Sequence, residues 1–335
     1  MSQMTLIPHS FPDIDPEDIS VLKDCLDRGF VGWDEDLEEV LGKDIKKFVC
    51  KDQVVITPSG SMGLLVALRR LGVKAGDPVL IPAIPGWSVY NAIEFLGAVP
   101  VICDIRNSQD LRSSFDSITR QVIGQIKVVV VTHMFGVLIE QEDIRRLKEE
   151  LKLHVIEDYA SSFGARYNNT DPVGRFADFV IGSFNSTKPI TSGAGGFIAA
   201  NEVFLSDARE KPVDGLMAVN CKISCLNQRL LQQHFIRFEK TLEQKEKLRK
   251  LFSRFVKIYG DESNALYRAI TFDQVDGLKS FFYDHGFELD IRDSVQANFA
   301  QEYGLNLENA RNLKPYKSIP FHTKFVEALE MKGLL

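Results

Sequence analysis

The sequence predicts an α/β protein: a large, mostly parallel, doubly wound sheet covered by helices, followed by a smaller α+β C-terminal domain. Three observations predict it. Short apolar strands alternate with amphipathic helices from residue 54 to residue 200. One of those strands, LysValValValValThrHisMetPheGly (127–136), is a continuous β-branched run, suited to a parallel sheet covered on both faces. Beyond residue 201 the texture changes to a long charged helix and short mixed elements.

Each element follows from its own pattern. Residues 15–28 carry Ile19, Leu22, Cys25 and Leu26 at helical spacing, with Asp15 and Pro16 as cap and first turn. A second amphipathic helix is predicted over 34–48, then a buried strand over 54–57 that runs into ProSerGlySerMetGly and a helix. Strands are predicted over 78–82, 99–105, 153–158, 178–182 and 196–200, and helices over 88–96, 116–123 and 141–151. A continuous helix over 227–259 is expected to connect the domains, which places the division at 1–226 and 227–335. Residues 267–272, 274–285 and 287–291 read as a β-α-β unit of the smaller domain.

Composition narrows the function. The chain has 335 residues, 44% apolar, with a net charge of −6 and interspersed signs, which excludes a polybasic surface for nucleic acid or membrane. No apolar run approaches the roughly 20 residues that span a bilayer, and the N-terminal residues lack the basic-then-apolar pattern of a secretory signal. Five scattered cysteines form neither a disulfide framework nor a zinc spacing. Cys221 and Cys225, at helical spacing, read as core. A cytoplasmic protein with reduced thiols and no metal is expected.

The residues that carry chemistry collect at strand ends. Gly60 and Ser61 sit where a strand turns into a helix, so backbone N–H groups and the helix dipole favour a phosphate there. The GxGxxG spacing of a dinucleotide site is missing. Trp87, His133, Asp158, Ser183 and Lys188 fall at other strand ends on the same predicted edge. Pyridoxal 5′-phosphate needs that set: a helix N-terminus and hydroxyls for its phosphate, a buried carboxylate to keep its ring nitrogen protonated, and a lysine for its aldehyde. A carboxylate buried at position 158 without a cationic partner would cost several kcal/mol. His133 is equally well read as a histidine satisfying backbone groups at the end of a buried strand. Trp33 reads as local core or as a wall of the substrate entrance.

Several stretches in one order resemble the DegT/DnrJ/EryC1/StrS sugar aminotransferase family of fold-type-I pyridoxal-phosphate enzymes. They are ProSerGlySerMetGlyLeuLeuValAlaLeu, AlaGlyAspProValLeuIleProAla, GlyAlaValProValIleCysAspIle, ThrHisMetPheGly, ValIleGluAspTyrAlaSerSerPheGlyAla and SerPheAsnSerThrLysProIleThrSerGlyAlaGlyGly. The resemblance covers about 7–259 and implies an aspartate-aminotransferase-like large domain with a seven-stranded type of sheet. It implies Lys188 as the internal aldimine, Asp158 as partner of the pyridinium, and Gly60, Ser61 and Ser183 as phosphate ligands. AsnCysLys (220–222) resembles the family's Asn-x-Arg element, so Asn220 would reach the cofactor phosphate of a neighbouring subunit in a homodimer, with Lys222 beside it.

The chain departs from the family pattern at identifiable places. Gly86 stands where the family stacks an aromatic on the cofactor, with Trp87 one residue later. Ser161 replaces the glutamine that contacts the ring hydroxyl, Ala194 replaces an acidic residue, and no His-containing substrate loop is found in the C-terminal domain. The function implied is amination of a keto-sugar, nucleotide-linked, with an amino acid such as glutamate as donor. Relatives that dehydrate carry histidine in place of the lysine, so Lys188 argues against that branch. A pyridoxal-phosphate enzyme on a non-sugar substrate, or a degenerate non-catalytic partner or sensor, are the alternatives that the departures leave open.

Overall fold

The computed structural model describes residues 4–335 apart from 13, 116–123, 202–221, 264 and 294–306. The chain begins with β1 (Thr5–Ile7), α1 (Pro16–Asp27) and α2 (Glu35–Lys46). Asp15 and Asp18 form a reciprocal capping box at the start of α1, and Asp34 accepts the Leu37 N–H at the start of α2. Next come β2 (Gln53–Thr57), α3 (Gly60–Arg70), β3 (Pro78–Pro82), α4 (Trp87–Phe95), β4 (Val99–Cys103), β5 (Ile105–Asn107), β6 (Asp110–Ser113) and β7 (Val128–Thr132). After α5 (Gln141–Arg145), whose last turn widens into a π-turn over Arg146–Glu150, come β8 (His154–Asp158), β9 (Phe179–Ser183) and β10 (Gly196–Ala200).

These strands build a seven-stranded sheet in the order β2-β10-β9-β8-β7-β3-β4. β10 runs antiparallel to both its neighbours, and the remaining pairings are parallel. The β-branched run of β7 explains itself here. Val129 and Val131 pack on one face with Leu41 and Ile45 of α2, while Val128 and Val130 pack on the other with Leu64 of α3 and Ile93 of α4. Both faces are covered, so neither set alternates with polar residues. The parallel strands share one carboxyl edge, which carries Thr57, Thr132, Asp158 and Ser183.

The C-terminal part contains α6 (Cys225–Ile236), α7 (Phe238–Phe252), β11 (Ala269–Thr271), α8 (Asp276–Asp284), β12 (Phe287–Leu289), β13 (Arg292–Asp293), α9 (Glu308–Arg311), β14 (Lys317–Ile319) and α10 (Thr323–Glu330). Phe252, Phe282, Phe287 and Phe325 are the centre of its core, and Ile7 of β1 packs among them.

Four sequence expectations change. The helix expected over 227–259 breaks at Arg237, whose backbone leaves the helical region (φ −100, ψ 8). Its guanidinium is held at 2.8 and 2.7 Å by the buried carboxylate of Asp18, a partner 219 residues away that helical periodicity cannot reveal. The strand expected over 99–105 ends at Cys103, because the Asp104 carboxylate takes the Ile105 and Ala310 N–H groups at 2.8 Å and turns the chain into the β5–β6 hairpin. The run 127–136 ends as a strand at Thr132. It then turns through Phe135 (φ 59) and Gly136 (φ 96), and a Cβ at Gly136 would lie 2.5 Å from the Ala265 carbonyl. The β-α-β unit does not form: β11 pairs antiparallel with β14, while β12 pairs parallel with β1. The helix expected over 116–123 lies outside the described residues.

Candidate active site

The site is built where α3 meets the end of β9. Ser59 caps α3 by accepting the Met62 N–H at 3.1 Å, and the helix N-terminus then points at the carboxyl edge. Three glycines make that approach possible. A Cβ at Gly60 would lie 2.9 Å from the Gly182 carbonyl, one at Gly196 would lie 2.4 Å from the Gly60 nitrogen, and one at Gly182 would overlap the Phe197 ring. The α3 N-terminus is therefore pressed onto β9 and β10 at backbone distance. A cleft of about 390 Å³ opens there, lined by Ser59, Gly60, Ser61, Ser183, Asp158 and Lys188 among others.

Asp158 ends β8 and is buried, with Ala160 donating its N–H to Oδ1 at 3.0 Å. Burial pushes its carboxyl above the ordinary range, opposed by that N–H and by the charge of Lys188. An acid so placed gains from a cation arriving in the cleft, because the charged form then meets an opposite charge in a medium of low dielectric. Lys188 is half-buried in the turn after β9. Its Nζ donates to Ser161 Oγ at 3.1 Å and lies 4.7 Å from the centre of the Tyr267 ring. Ser161, standing where a glutamine was expected, thus contacts the lysine itself.

The other predicted residues are placed as follows. His133 is not brought to the cleft: it is fully buried, Nε2 pairs with Glu157 at 3.0 Å, and Nδ1 accepts the Ile139 N–H at 3.1 Å. Both nitrogens are committed, as in the structural reading of that histidine. Trp87 is also outside the cleft lining. Gly86 caps α4, so the indole begins the helix, 45% exposed and edge-on to Tyr90, and Ser88 lines the cleft instead. Trp33 and Lys222 stack on each other, with the lysine Nζ 3.5 Å over the indole, and neither lines the cleft. Asn220 and Cys221 lie outside the described residues. Cys225 is buried with its sulfur 4.0 Å from that of Cys25.

Sequence reasoning missed the wall contributed by the C-terminal part. Tyr267 and Arg268, just before β11, line the same cleft as Lys188. The Tyr267 hydroxyl shares a hydrogen bond of 2.9 Å with Thr187 and accepts one of 3.2 Å from Arg268. Burial works to raise the phenol, but the charges of Lys188 and Arg268 outweigh it and hold the group below its ordinary value. The signal available was a Tyr-Arg pair opening a short apolar strand, and nothing in its spacing ties position 267 to position 188. Among the described residues no group of three or more His, Cys, Asp or Glu could hold a metal ion, and no helix is long and apolar enough to cross a membrane.

The residues present suit pyridoxal 5′-phosphate. A buried acid with a raised pKa, a lysine reaching the same cleft, and a helix N-terminus with serine hydroxyls answer its three polar groups.

Comparison with known proteins bears on the same stretch. The chain is 30% identical to a GDP-perosamine synthase of Escherichia coli O157:H7 over 207 residues, 61% of this chain and 56% of that protein. It is 29% identical to a GDP-perosamine synthase of Vibrio cholerae over 202 residues, 60% of this chain and 54% of that one. The matched stretch thus spans about half the length of these curated relatives. The PMP-form of Spr1654 from Streptococcus pneumoniae shares the fold, with a TM-score of 0.78 at 18% identity over 96% of this chain and 97% of that one. The model of the DegT/DnrJ/EryC1/StrS aminotransferase family matches residues 12–260, and the chain belongs to that family.

Proposed function

We propose that the protein is a pyridoxal-phosphate-dependent aminotransferase that converts a keto-sugar, nucleotide-linked, into an amino sugar, with an amino acid such as glutamate as donor. One observation carries the reading: Lys188, Asp158 and the α3 N-terminus open onto a single cleft. Membership of an aminotransferase family and the names of the curated relatives support it.

In this reading Gly60, Ser61 and Ser183 hold the phosphate, and Asp158 holds the ring nitrogen protonated. When bound, the cofactor supplies an electron sink that acidifies the donor Cα–H. The chain's own task is then the proton. Lys188 would be the base that takes the proton from the donor Cα and holds it at Nζ for return on the cofactor side. Ser161 holds the ammonium by its Oγ, and the Tyr267 ring keeps it near the cleft by a cation–π contact. Amination of the keto-sugar runs the same transfers in reverse.

The same reading makes residues 1–226 the cofactor-binding part and 227–335 the smaller part, with β1 reaching across to β12. It also makes the protein a cytoplasmic homodimer to which Asn220 of each subunit contributes. Exposed Phe30, Val31, Trp87 and Phe95 supply apolar surface for a second copy to cover.

Purified protein with cofactor should show an absorbance band near the visible edge that borohydride reduction removes and that Lys188→Ala lacks. Glutamate should bleach the band with formation of 2-oxoglutarate. A protein that acquires no such band is not this enzyme, and one whose band is insensitive to amino acids is not a transaminase. Screening nucleotide-linked keto-sugars for amination tests the acceptor, and sedimentation tests the dimer.

A further inference from the structure

We infer that Arg268 is the carboxylate-binding residue for the amino donor, a role that rests on the aminotransferase reading and deepens it. Arg268 lines the cleft and also a second, smaller cavity of about 30 Å³ beside it, and Thr187, Lys188 and Tyr267 are shared by both. Among the described residues lining the two cavities Asp158 is the one carboxylate, against Lys188, Lys245 and Arg268. Asp158 is the acid assigned to the ring nitrogen, the phosphate is assigned to the α3 N-terminus, and Lys188 is assigned to the aldehyde. Lys245 is engaged by the carbonyls of Leu266, Tyr267 and Phe321, which leaves Arg268.

Its present partners are all neutral. Nη1 lies 3.0 Å from both ring nitrogens of His9 and donates to Ser10 Oγ at 3.3 Å, and Nη2 donates to the Tyr267 hydroxyl at 3.2 Å. Burial and the Arg268 charge lower the His9 pKa to about 4, so the imidazole is uncharged at neutral pH. Nε is buried with no hydrogen-bond partner, and the guanidinium bonds among the described residues go to His9, Ser10 and Tyr267 rather than to a carboxylate. A guanidinium presents a planar fork whose best match is a carboxylate or phosphate taken in two parallel bonds. A partly enclosed arginine that meets only neutral acceptors and carries a spare N–H is therefore poised for an anion.

Position selects which anion. Arg268 Cζ is 4.9 Å and Lys188 Nζ 4.7 Å from the centre of one ring, that of Tyr267, so both cations border the same side chain in the wall of the cleft. The donor must present its Cα–H to Lys188, and its carboxylate is bonded directly to that Cα. The anion that reaches Lys188 with the reacting carbon thus falls within reach of Arg268. In a nucleotide-linked sugar the phosphates are separated from the carbonyl carbon by part of the sugar ring, which puts them further from the lysine.

The test uses the cofactor-loaded protein and two unreactive probes, glutarate for the donor and a nucleoside diphosphate for the sugar nucleotide, each titrated by calorimetry. Arg268→Gln should weaken glutarate binding about 30-fold, the loss of a charge-assisted pair of bonds, and leave nucleoside diphosphate binding within about threefold. Arg268→Lys, which keeps the charge without the fork, should recover part of the loss and covers the case in which the glutamine variant fails to fold. In single turnovers the glutamate concentration needed for half-maximal bleaching should rise while the limiting rate changes far less. Unchanged glutarate binding in both variants would overturn the assignment, as would a larger loss for the nucleoside diphosphate or a loss of cofactor. Failure of the aminotransferase reading looks different, because the wild-type protein would then show no absorbance band, or a band that glutamate does not bleach.

Discussion

The two walls of the cleft are made in different ways. The wall of Gly60, Ser61, Asp158, Ser183 and Lys188 comes from the strand ends of one sheet and the turns that follow them, brought together by the pairing of that sheet and the close approach of Gly60 to Gly182 and Gly196. The wall of Tyr267 and Arg268 comes from a strand whose position depends on partners far away. The Tyr267 N–H donates to the Phe135 carbonyl at 2.9 Å, Arg268 rests against His9, and Ser318 Oγ lies 2.9 Å from His9 Nε2. The first wall is suited to hold a permanent cofactor. The second is assembled only when the N-terminal strand, the turn after β7 and the C-terminal part come together, which suits a side that meets exchanging substrates.

The comparison breaks if removing charges from the first wall spares the chemistry. Lys188→Ala should abolish turnover, by at least about four orders of magnitude, since it removes both the attachment point and the group that moves the proton. Absorbance and borohydride reduction check the attachment, and single-turnover kinetics check the rate. Asp158→Asn should lower turnover about 1,000-fold, about 4 kcal/mol of stabilisation at the transition state. Its crystal structure should show the cleft intact. Turnover within tenfold of wild type would mean that the ring nitrogen is not held by this acid.

The difference between the walls is also the difference between what could and could not be read from the chain. Asp158, Ser183 and Lys188 were legible because a strand that stops at a polar residue announces its own edge, and the alternation of strands and helices sets that edge for all of them. Trp87, one residue beyond the slot the family gives its aromatic, is the first residue of α4 rather than part of the turn, and its indole stands edge-on to Tyr90 outside the cleft lining. His133 stands at the right edge, yet its direction is decided by Glu157, the residue beside Asp158, whose side chain points to the other face of the sheet. Tyr267, Arg268 and the break at Arg237 were invisible because each depends on contacts more than a hundred residues distant in sequence.

Arg237 tests how far the second wall depends on such contacts. Burial alone would raise the Asp18 carboxyl, but the Arg237 guanidinium together with the Asp15 N–H outweighs it and holds the group below its ordinary value. Arg237→Ala leaves that buried acid without its cation and should cost about 3 kcal/mol of stability, measured by denaturant unfolding. Because the folded pKa is depressed, the pair stabilises fully above the unfolded value near 3.9 and loses its effect as pH falls through the lower folded value. The variant should therefore show its deficit at neutral pH, with the difference from wild type shrinking in acid. A deficit that is constant with pH would place the cost in lost packing.

His9 gives the smallest effect and the sharpest contrast, because it titrates in the opposite sense. It links β1 to the second wall, and the groups that face it are Arg268, Arg292, His322 and Asp290. Burial, then the two arginines and His322, favour its neutral form against the opposing pull of Asp290, and the pKa falls to about 4. The unfolded chain takes up this proton near pH 6.5 and the folded chain does not until about 4. Between those values the unfolded state binds more protons, so the contribution of His9 to stability declines as pH falls and levels off below about 4. His9→Gln keeps a hydrogen-bonding side chain without the titration, and the melting temperature of that variant should fall less steeply with acid over this window. The expected gap is about 2 °C, about 1 kcal/mol in a chain of this size. Parallel melting curves for wild type and variant would mean that protonation of His9 does not strain the join between β1 and β14. The second wall would then hold its shape independently of the N-terminal strand.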